Sequence, residues 1–387
     1  MTNIQIAQKG FNCQTFYDII FNKNGGKMKK IGIITTGGDC SGLNSVIYNV
    51  ICGAKKRGWA VYGILDGTDG LATETPNVIR LSGDILPPES AFIAGSFLRN
   101  GNVSQKNNFE MAVQSGKVAQ FTKLLKKSLS TLKLDALILI GGNGSLSLAW
   151  KTRDIYSDLQ LVCIPKTIDM DIPLTDKTIG FDTAVSQLTR FCDDLMLTAR
   201  SHHRWFVVQS MGRKSGMLAL TAGIASRASA ILIPEIKFNV DELIEHIKTN
   251  DQDYGIIMVS EGISLRGHSG EPATMISRKL TAAGISNRTA FPEHMQRAGN
   301  TVPSDRILAA EMADAALDAI DNNETYVMTA LQNGEINTVG LQDVVSSGHA
   351  ERDPNITGLI ISNATVADDN PLLIAADNMG IYIGETK

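Results

Sequence analysis

Seven consecutive residues, Pro165-Lys166-Thr167-Ile168-Asp169-Met170-Asp171, put an ammonium, a hydroxyl and two carboxylates into one short stretch. Carboxylates two residues apart can divide labour, one accepting a proton while the other holds a cation. A neighbouring lysine suits a phosphate. Phosphoryl transfer is catalysed mostly by positioning and charge stabilisation, and it calls for these groups. The same residues also have a purely structural use, as aspartates that cap a helix following a strand end.

The elements that must position this stretch are also legible. It follows an apolar run at 159–164 that reads as a strand. A second run, 31–36, enters Gly37-Gly38-Asp39-Cys40-Ser41-Gly42 ahead of a helical segment at 46–51. A third, 135–140, enters Gly141-Gly142-Asn143-Gly144-Ser145 ahead of a helical segment at 146–150. A strand, a glycine turn and a helix start bring backbone N–H groups close to an anion. Neither loop ends in Gly-Lys-Ser/Thr, so neither is a nucleotide P-loop. Three polar loops at the carboxyl ends of strands mark the place where open α/β sheets bind ligands.

Composition narrows the class. A chain of 387 residues suits two domains of ordinary size. Charged residues make up 20% with a formal net charge of −4, so no basic field points to nucleic acid. No apolar run reaches the roughly 18 residues of a membrane span. Five cysteines lack metal-ligand spacing and no secretory signal precedes them, which predicts reduced thiols in a cytoplasmic enzyme. Residues 1–27 are polar and free of arginine, and Gly25-Gly26-Lys27 reads as a linker, so Met28 is the expected native start unless the segment is a true arm. Apolar runs alternate with helical patterns through most of the chain, which predicts parallel strands joined by helices.

The motifs resemble the phosphofructokinase family, and the match runs in order from about Met28 to about Leu341. It includes Ser201-His202-His203-Arg204, Met211-Gly212-Arg213-Lys214-Ser215-Gly216, Ile256-Ile257-Met258-Val259-Ser260-Glu261, and His294-Met295-Gln296-Arg297-Ala298-Gly299. The resemblance implies two similar three-layer α/β domains with mostly parallel sheets. It places a donor-binding domain at 28–178 plus about 297–350, and a sugar-phosphate domain at 179–296 plus about 351–387. It implies transfer of a phosphoryl group from ATP, or alternatively pyrophosphate, to the 1-hydroxyl of fructose 6-phosphate, with Mg²⁺ as cofactor. Asp169 takes the role of general base, Thr167 holds phosphate or sugar oxygen, and Arg213 clamps the transferring group. Gly38, Gly142, Asn143, Gly144, Ser145 and Lys166 fall on the donor side, with Asn143 and Asp171 at the metal. Ile168, Arg204, Met211, Gly212, Glu261, Arg288, His294 and Arg297 fall on the sugar-phosphate side. In the family the counterparts of Arg204 and Arg288 reach into a neighbouring subunit, which implies a homo-oligomer, a dimer or a tetramer. Gly144 leaves room for a nucleotide and favours ATP, whereas Lys166 is the residue that pyrophosphate users carry.

Three positions depart from the family. Asn143 stands for an aspartate that helps hold the metal, Met170 for an asparagine, and Asn102 for an arginine that bridges two phosphates. Each removes charge or polarity from the donor side, which keeps open a weakly active or non-catalytic sugar-phosphate-binding subunit. Restoring the carboxylate with Asn143→Asp is expected to raise Mg²⁺ affinity and rate, unless the site is rebuilt around the amide. Arg99 is the one residue placed to replace the lost bridge.

Overall fold

The computed structural model describes residues 28–101, 118–155, 159–263, 270–347, 366 and 370–385. The N-terminal segment and Asn102, both singled out above, lie outside them.

In chain order, β1 (Lys30–Thr35), α1 (Leu43–Lys56), β2 (Ala60–Ile64), the short α2 (Gly67–Leu71) and β3 (Val78–Leu81) come first. Then follow α3 (Val118–Leu132), β4 (Ala136–Gly141), α4 (Asn143–Lys151), β5 (Gln160–Pro165), α5 (Phe181–Ser201), β6 (Trp205–Ser210) and α6 (Met217–Ala225). The chain continues through β7 (Ala230–Leu232), α7 (Val240–Thr249), β8 (Gly255–Ser260), α8 (Pro272–Ala282), β9 (Asn287–Ala290) and α9 (Pro303–Asp321). It closes with β10 (Val327–Gln332), β11 (Glu335–Gly340), α10 (Leu341–Ser347) and α11 (Pro371–Asn378).

These strands form an α/β fold of two unequal sheets. The larger has seven strands ordered β11-β10-β5-β4-β1-β2-β3, and the smaller has four ordered β7-β8-β6-β9. The small sheet is wholly parallel. In the large one only the outer pairs β2–β3 and β10–β11 run antiparallel. A strand covered by helices on both faces must be apolar at every position, and β4 is buried along its whole length.

Alternate residues of the central strands feed different cores. Ile138 and Ile140 join a layer with α1, α5 and α9, while Leu137 and Leu139 face α3, α4 and α10. The first layer runs on through α5 and α6 to Val208, Ile231 and Met258 of the small sheet. The two sheets therefore share one continuous apolar layer. The last described segment returns to the small sheet, where Tyr382 bridges Ala230 in parallel.

Candidate active site

A cavity of about 310 Å³ opens at the carboxyl ends of the large sheet. The loop after β1 contributes Gly37 and Gly38, the start of α4 contributes Gly142 to Ser145, and the segment after β5 contributes Lys166, Thr167, Asp169 and Asp171. Arg213 and Arg297 reach it from the small-sheet half. The three loops singled out in the sequence thus converge on one space. One boundary moves: Asn143, Gly144 and Ser145, expected in a loop, form the first turn of α4 with Gly142 as its N-cap. The unpaired N–H groups of that turn and its dipole face the cavity, as an anion requires. Space around Gly144 is open, with no heavy atom within 4 Å of where a side chain would begin.

Asp169 is 4% exposed, its Oδ1 is buried without a hydrogen-bond partner, and its Oδ2 lies 3.5 Å from the Arg213 Nε. Burial, reinforced by the charge of Asp171, pushes its carboxyl up to about 6, against the pull of the Arg213 and Arg297 guanidinium groups. Asp171 is raised in the same direction, mainly by burial, and its Oδ1 is likewise orphaned. Two orphaned carboxylate oxygens in one cavity suit a cation better than a hydrophobic wall. Among the described residues no cluster of three or more His, Cys, Asp or Glu could hold a metal unaided. Lys166 is 3% exposed, donates to the Gly38 carbonyl, and has its pKa drawn down by burial. Thr167 Oγ1 accepts from the Asp169 N–H at 3.1 Å, which fixes the turn carrying the base.

The departures from the family pattern have structural consequences. The Asn143 Nδ2 donates to the Asp171 carbonyl at 3.2 Å, a bond that no carboxylate could make. Met170 lies at φ 53, a left-handed conformation that asparagine tolerates far better than methionine. Arg99 is tied to Asp66 at 2.9 Å with its side chain 60% exposed, and it does not line the cavity. The replacement considered from sequence is therefore not made; Arg99 points away because Asp66 offers a nearer charge. Its neighbour Asn100 lines the cavity instead, donating to the Gly37 carbonyl at 2.9 Å.

The sugar-phosphate candidates are divided between places. Met211, Gly212 and Glu261 follow the carboxyl ends of β6 and β8, beside Arg213. The Glu261 Oε1 accepts from the Gly212 N–H at 3.0 Å and the Arg213 N–H at 2.7 Å, so this carboxylate shapes the arginine's turn. Arg297 donates from Nη1 to the Asp39 carbonyl at 2.7 Å, while His294 on the same short 3₁₀ turn is exposed. Arg204 precedes β6, and Arg288 pairs with Phe206 at the start of β9. Both lie at the opposite end of the small sheet, about 20 Å from Met211 along the six residues of β6. Ile168 is 1% exposed and packed in the core, so only its backbone can face a ligand.

Sequence reasoning missed Asn100, Thr68, Asp69 and Gln296. The first three come from the Asp66-Gly67-Thr68-Asp69-Gly70 and Asn100-Gly101 segments, whose glycine turns were a signal that could have found them, and they line the cavity because β2 lies beside β1. At the start of α9 Asp305 has a structural role: it accepts from the Gly180 N–H and from the N–H and hydroxyl of Thr183, capping α5.

Glycine turns, a helix start and buried carboxylates at the carboxyl ends of the parallel strands give this α/β fold a site suited to a phosphorylated ligand. Comparison with known proteins makes this specific. The phosphofructokinase family model matches residues 30–320, and the chain belongs to that family. A Nostoc sp. protein named ATP-dependent 6-phosphofructokinase 1 is 35% identical over 378 residues, spanning 93% of this chain and 99% of its own. A Chloroflexus aurantiacus ATP-dependent 6-phosphofructokinase is 34% identical over 93% of this chain and 99% of its own. Among solved structures, Saccharomyces cerevisiae phosphofructokinase superposes with a TM-score of 0.73 at 25% identity, covering 82% of this chain and 45% of that larger one. A Marinobacter aquaeolei pyrophosphate-dependent enzyme shares the fold, with a TM-score of 0.71 at 19% identity and 93% of each chain covered.

Proposed function

We propose that the protein is an ATP-dependent 6-phosphofructokinase, a phosphotransferase that phosphorylates the 1-hydroxyl of fructose 6-phosphate in glycolysis. The observation that carries the mechanism is Asp169. It is a buried carboxylate with one free oxygen, raised to about 6, facing a cavity of glycine turns with Arg213 at 3.5 Å. A base that titrates near the working pH combines a useful ionised fraction with real proton affinity. Asp169 accepts the proton of the attacking hydroxyl, and Arg213, 68% exposed and 3.5 Å from that carboxylate, meets charge on the transferring group. The α4 N-terminus and the Gly38 turn receive the donor's phosphates, with Lys166 beneath them. Closer relatives named for ATP and the open space at Gly144 support the nucleotide donor over pyrophosphate. Asp171, with the Asn143 side-chain carbonyl, would hold Mg²⁺, which would supply charge neutralisation at the donor's phosphates.

The small-sheet residues support an oligomer. Arg204 and Arg288 lie at the wrong end of their sheet to reach the cavity of their own chain, and a neighbouring subunit gives them a site to complete. We assign the donor lobe to 28–178 plus about 297–350 and the sugar-phosphate lobe to 179–296 plus about 351–387. Among the described residues no helix is long and apolar enough to cross a membrane. A coupled assay with fructose 6-phosphate, Mg²⁺ and either ATP or pyrophosphate tests the reading. ATP-driven formation of fructose 1,6-bisphosphate is expected. Turnover with pyrophosphate alone reverses the donor assignment, and sugar-phosphate binding without turnover replaces the enzyme by a binding subunit.

A further inference from the structure

We propose that Gln296 is a positioning residue that joins the sugar-phosphate turn to the catalytic arginine. The turn after β6 is unusual: Gly212 lies at φ 139 and Arg213 at φ 53. Such a conformation directs successive N–H groups at one side, and it persists only where the surroundings hold it. Here two side chains take all three donors. The Glu261 Oε1 accepts from Gly212 and Arg213, and the Gln296 Oε1 accepts from the Met211 N–H at 3.0 Å. Glu261 is anchored by the sheet itself, since its own N–H donates to the Ser210 carbonyl at 3.0 Å.

Gln296 comes from elsewhere. It sits on the 3₁₀ turn Glu293–Arg297, flanked by His294 and Arg297, and it is 1% exposed. Its Nε2 donates to the Glu293 carbonyl at 3.0 Å, so one amide closes its own turn and grips the neighbouring one. An apolar side chain of similar size would fill the same space but leave the Met211 N–H without an acceptor. Among the described residues no other side-chain hydrogen bond joins these two turns. A pull on Arg297 or His294 by a phosphate is therefore passed to Met211, and from there to Arg213, 3.5 Å from Asp169. Gln296 touches no reacting atom itself; it sets where Arg213 stands when the sugar phosphate is present.

The inference rests on Arg213 and Asp169 acting as proposed above, so the test separates the two ideas. Full-length Gln296→Leu, Gln296→Glu and Arg213→Ala proteins, and both double variants, are assayed with fructose 6-phosphate and MgATP below their melting temperatures. Gln296→Leu is expected to lower kcat by about ten- to a hundredfold, the effect of a small misplacement of a catalytic group. Its KM for ATP should change by no more than about twofold. Gln296→Glu, which keeps an acceptor for the Met211 N–H, should retain more kcat. On the Arg213→Ala background, Gln296→Leu should cost no more than about threefold, because the group it positions is gone. Additive losses in that cycle, or unchanged kcat in Gln296→Leu, overturn the proposal. If Gln296→Leu does not fold, Gln296→Met, which also offers the Met211 N–H no comparable acceptor, takes its place in the cycle under the same criterion. An Arg213→Ala enzyme with undiminished kcat overturns the catalytic reading and this proposal together.

Discussion

The two ligand-facing regions of this molecule are built on different plans. The donor side draws on four neighbouring loops at one end of one sheet, and its polar groups already converge around a single cavity. The sugar-phosphate side uses both ends of the small sheet, with Met211 and Glu261 at one end and Arg204 and Arg288 at the other. The parallel strands β5, β4, β1 and β2 explain the first plan, because they deliver their carboxyl ends to the same edge. The second plan fits the proposal that another subunit brings the far end of its own sheet into reach. Under the proposed oligomer, one region would be a property of the chain and the other a property of the assembly.

The largest effect should come from breaking the donor side at its base. Asp169→Asn is expected to lower kcat by about a hundred- to ten-thousandfold, the usual worth of a positioned base, with fructose 6-phosphate binding retained. Wild-type kcat should fall as pH drops through about 6, where Asp169 takes up a proton. Stability should move the opposite way. The folded carboxyl binds its proton more tightly than the unfolded one, having risen from 3.8 to about 6. Its contribution is therefore complete below pH 3.8 and is lost as pH rises through about 6. Without Mg²⁺ at pH 7, Asp169→Asn should melt higher than wild type. A lower melting temperature would show that the carboxylate is paired rather than strained.

The next effect tests the shared plan of the sugar side. Arg288→Ala should raise the KM for fructose 6-phosphate at least about tenfold, as loss of a charged hydrogen bond does. Co-expressing Arg288→Ala with Asp169→Ser should restore activity above that of either variant alone, since a mixed oligomer rebuilds one intact site. No restoration in co-purified mixed oligomers would place Arg288 outside the neighbour's site.

A smaller effect probes how the donor side accommodates its missing carboxylate. The hydrogen bond from Asn143 to the Asp171 carbonyl favours the second outcome weighed from sequence, a site rebuilt around the amide. Asn143→Asp removes that bond and adds a third negative charge beside two carboxyls already raised by burial. It should lower the rate several-fold, in keeping with about 1 kcal/mol for a lost hydrogen bond. An Mg²⁺ titration of initial rate decides: a higher rate and tighter Mg²⁺ in the variant would restore the original expectation. The smallest change concerns Met170, whose φ of 53 stores backbone strain worth about 1 kcal/mol. Met170→Asn relieves it but forfeits a partly buried contact with the core, so stability should rise by about 0.5 kcal/mol at most. A urea midpoint below wild type would show that packing outweighs strain.

Local chemistry made much of this legible in advance. Apolar runs at 31–36, 135–140 and 159–164 lie within a residue of β1, β4 and β5, because a buried parallel strand must be apolar on both faces. Glycine turns after the first two of those runs marked the cavity, since close approach of backbone to an anion leaves no room for side chains. Asp169, Asp171 and Lys166 stood out by residue type alone.

Long-range geometry decided the rest. That Asn100 and Asp69 share the cavity follows from β2 lying next to β1, and strand order is not written in any local pattern. That Gln296 grips Met211 across 85 residues depends on two turns meeting in space. That Arg99 turns to Asp66, and that the Asn143 amide finds a carbonyl, are choices among competing partners made only once the chain is packed. Sequence specifies which groups are available and which segments can pack. Their partners, their burial and hence their pKa values are set by contacts between residues far apart in the chain, which exist only in the folded molecule.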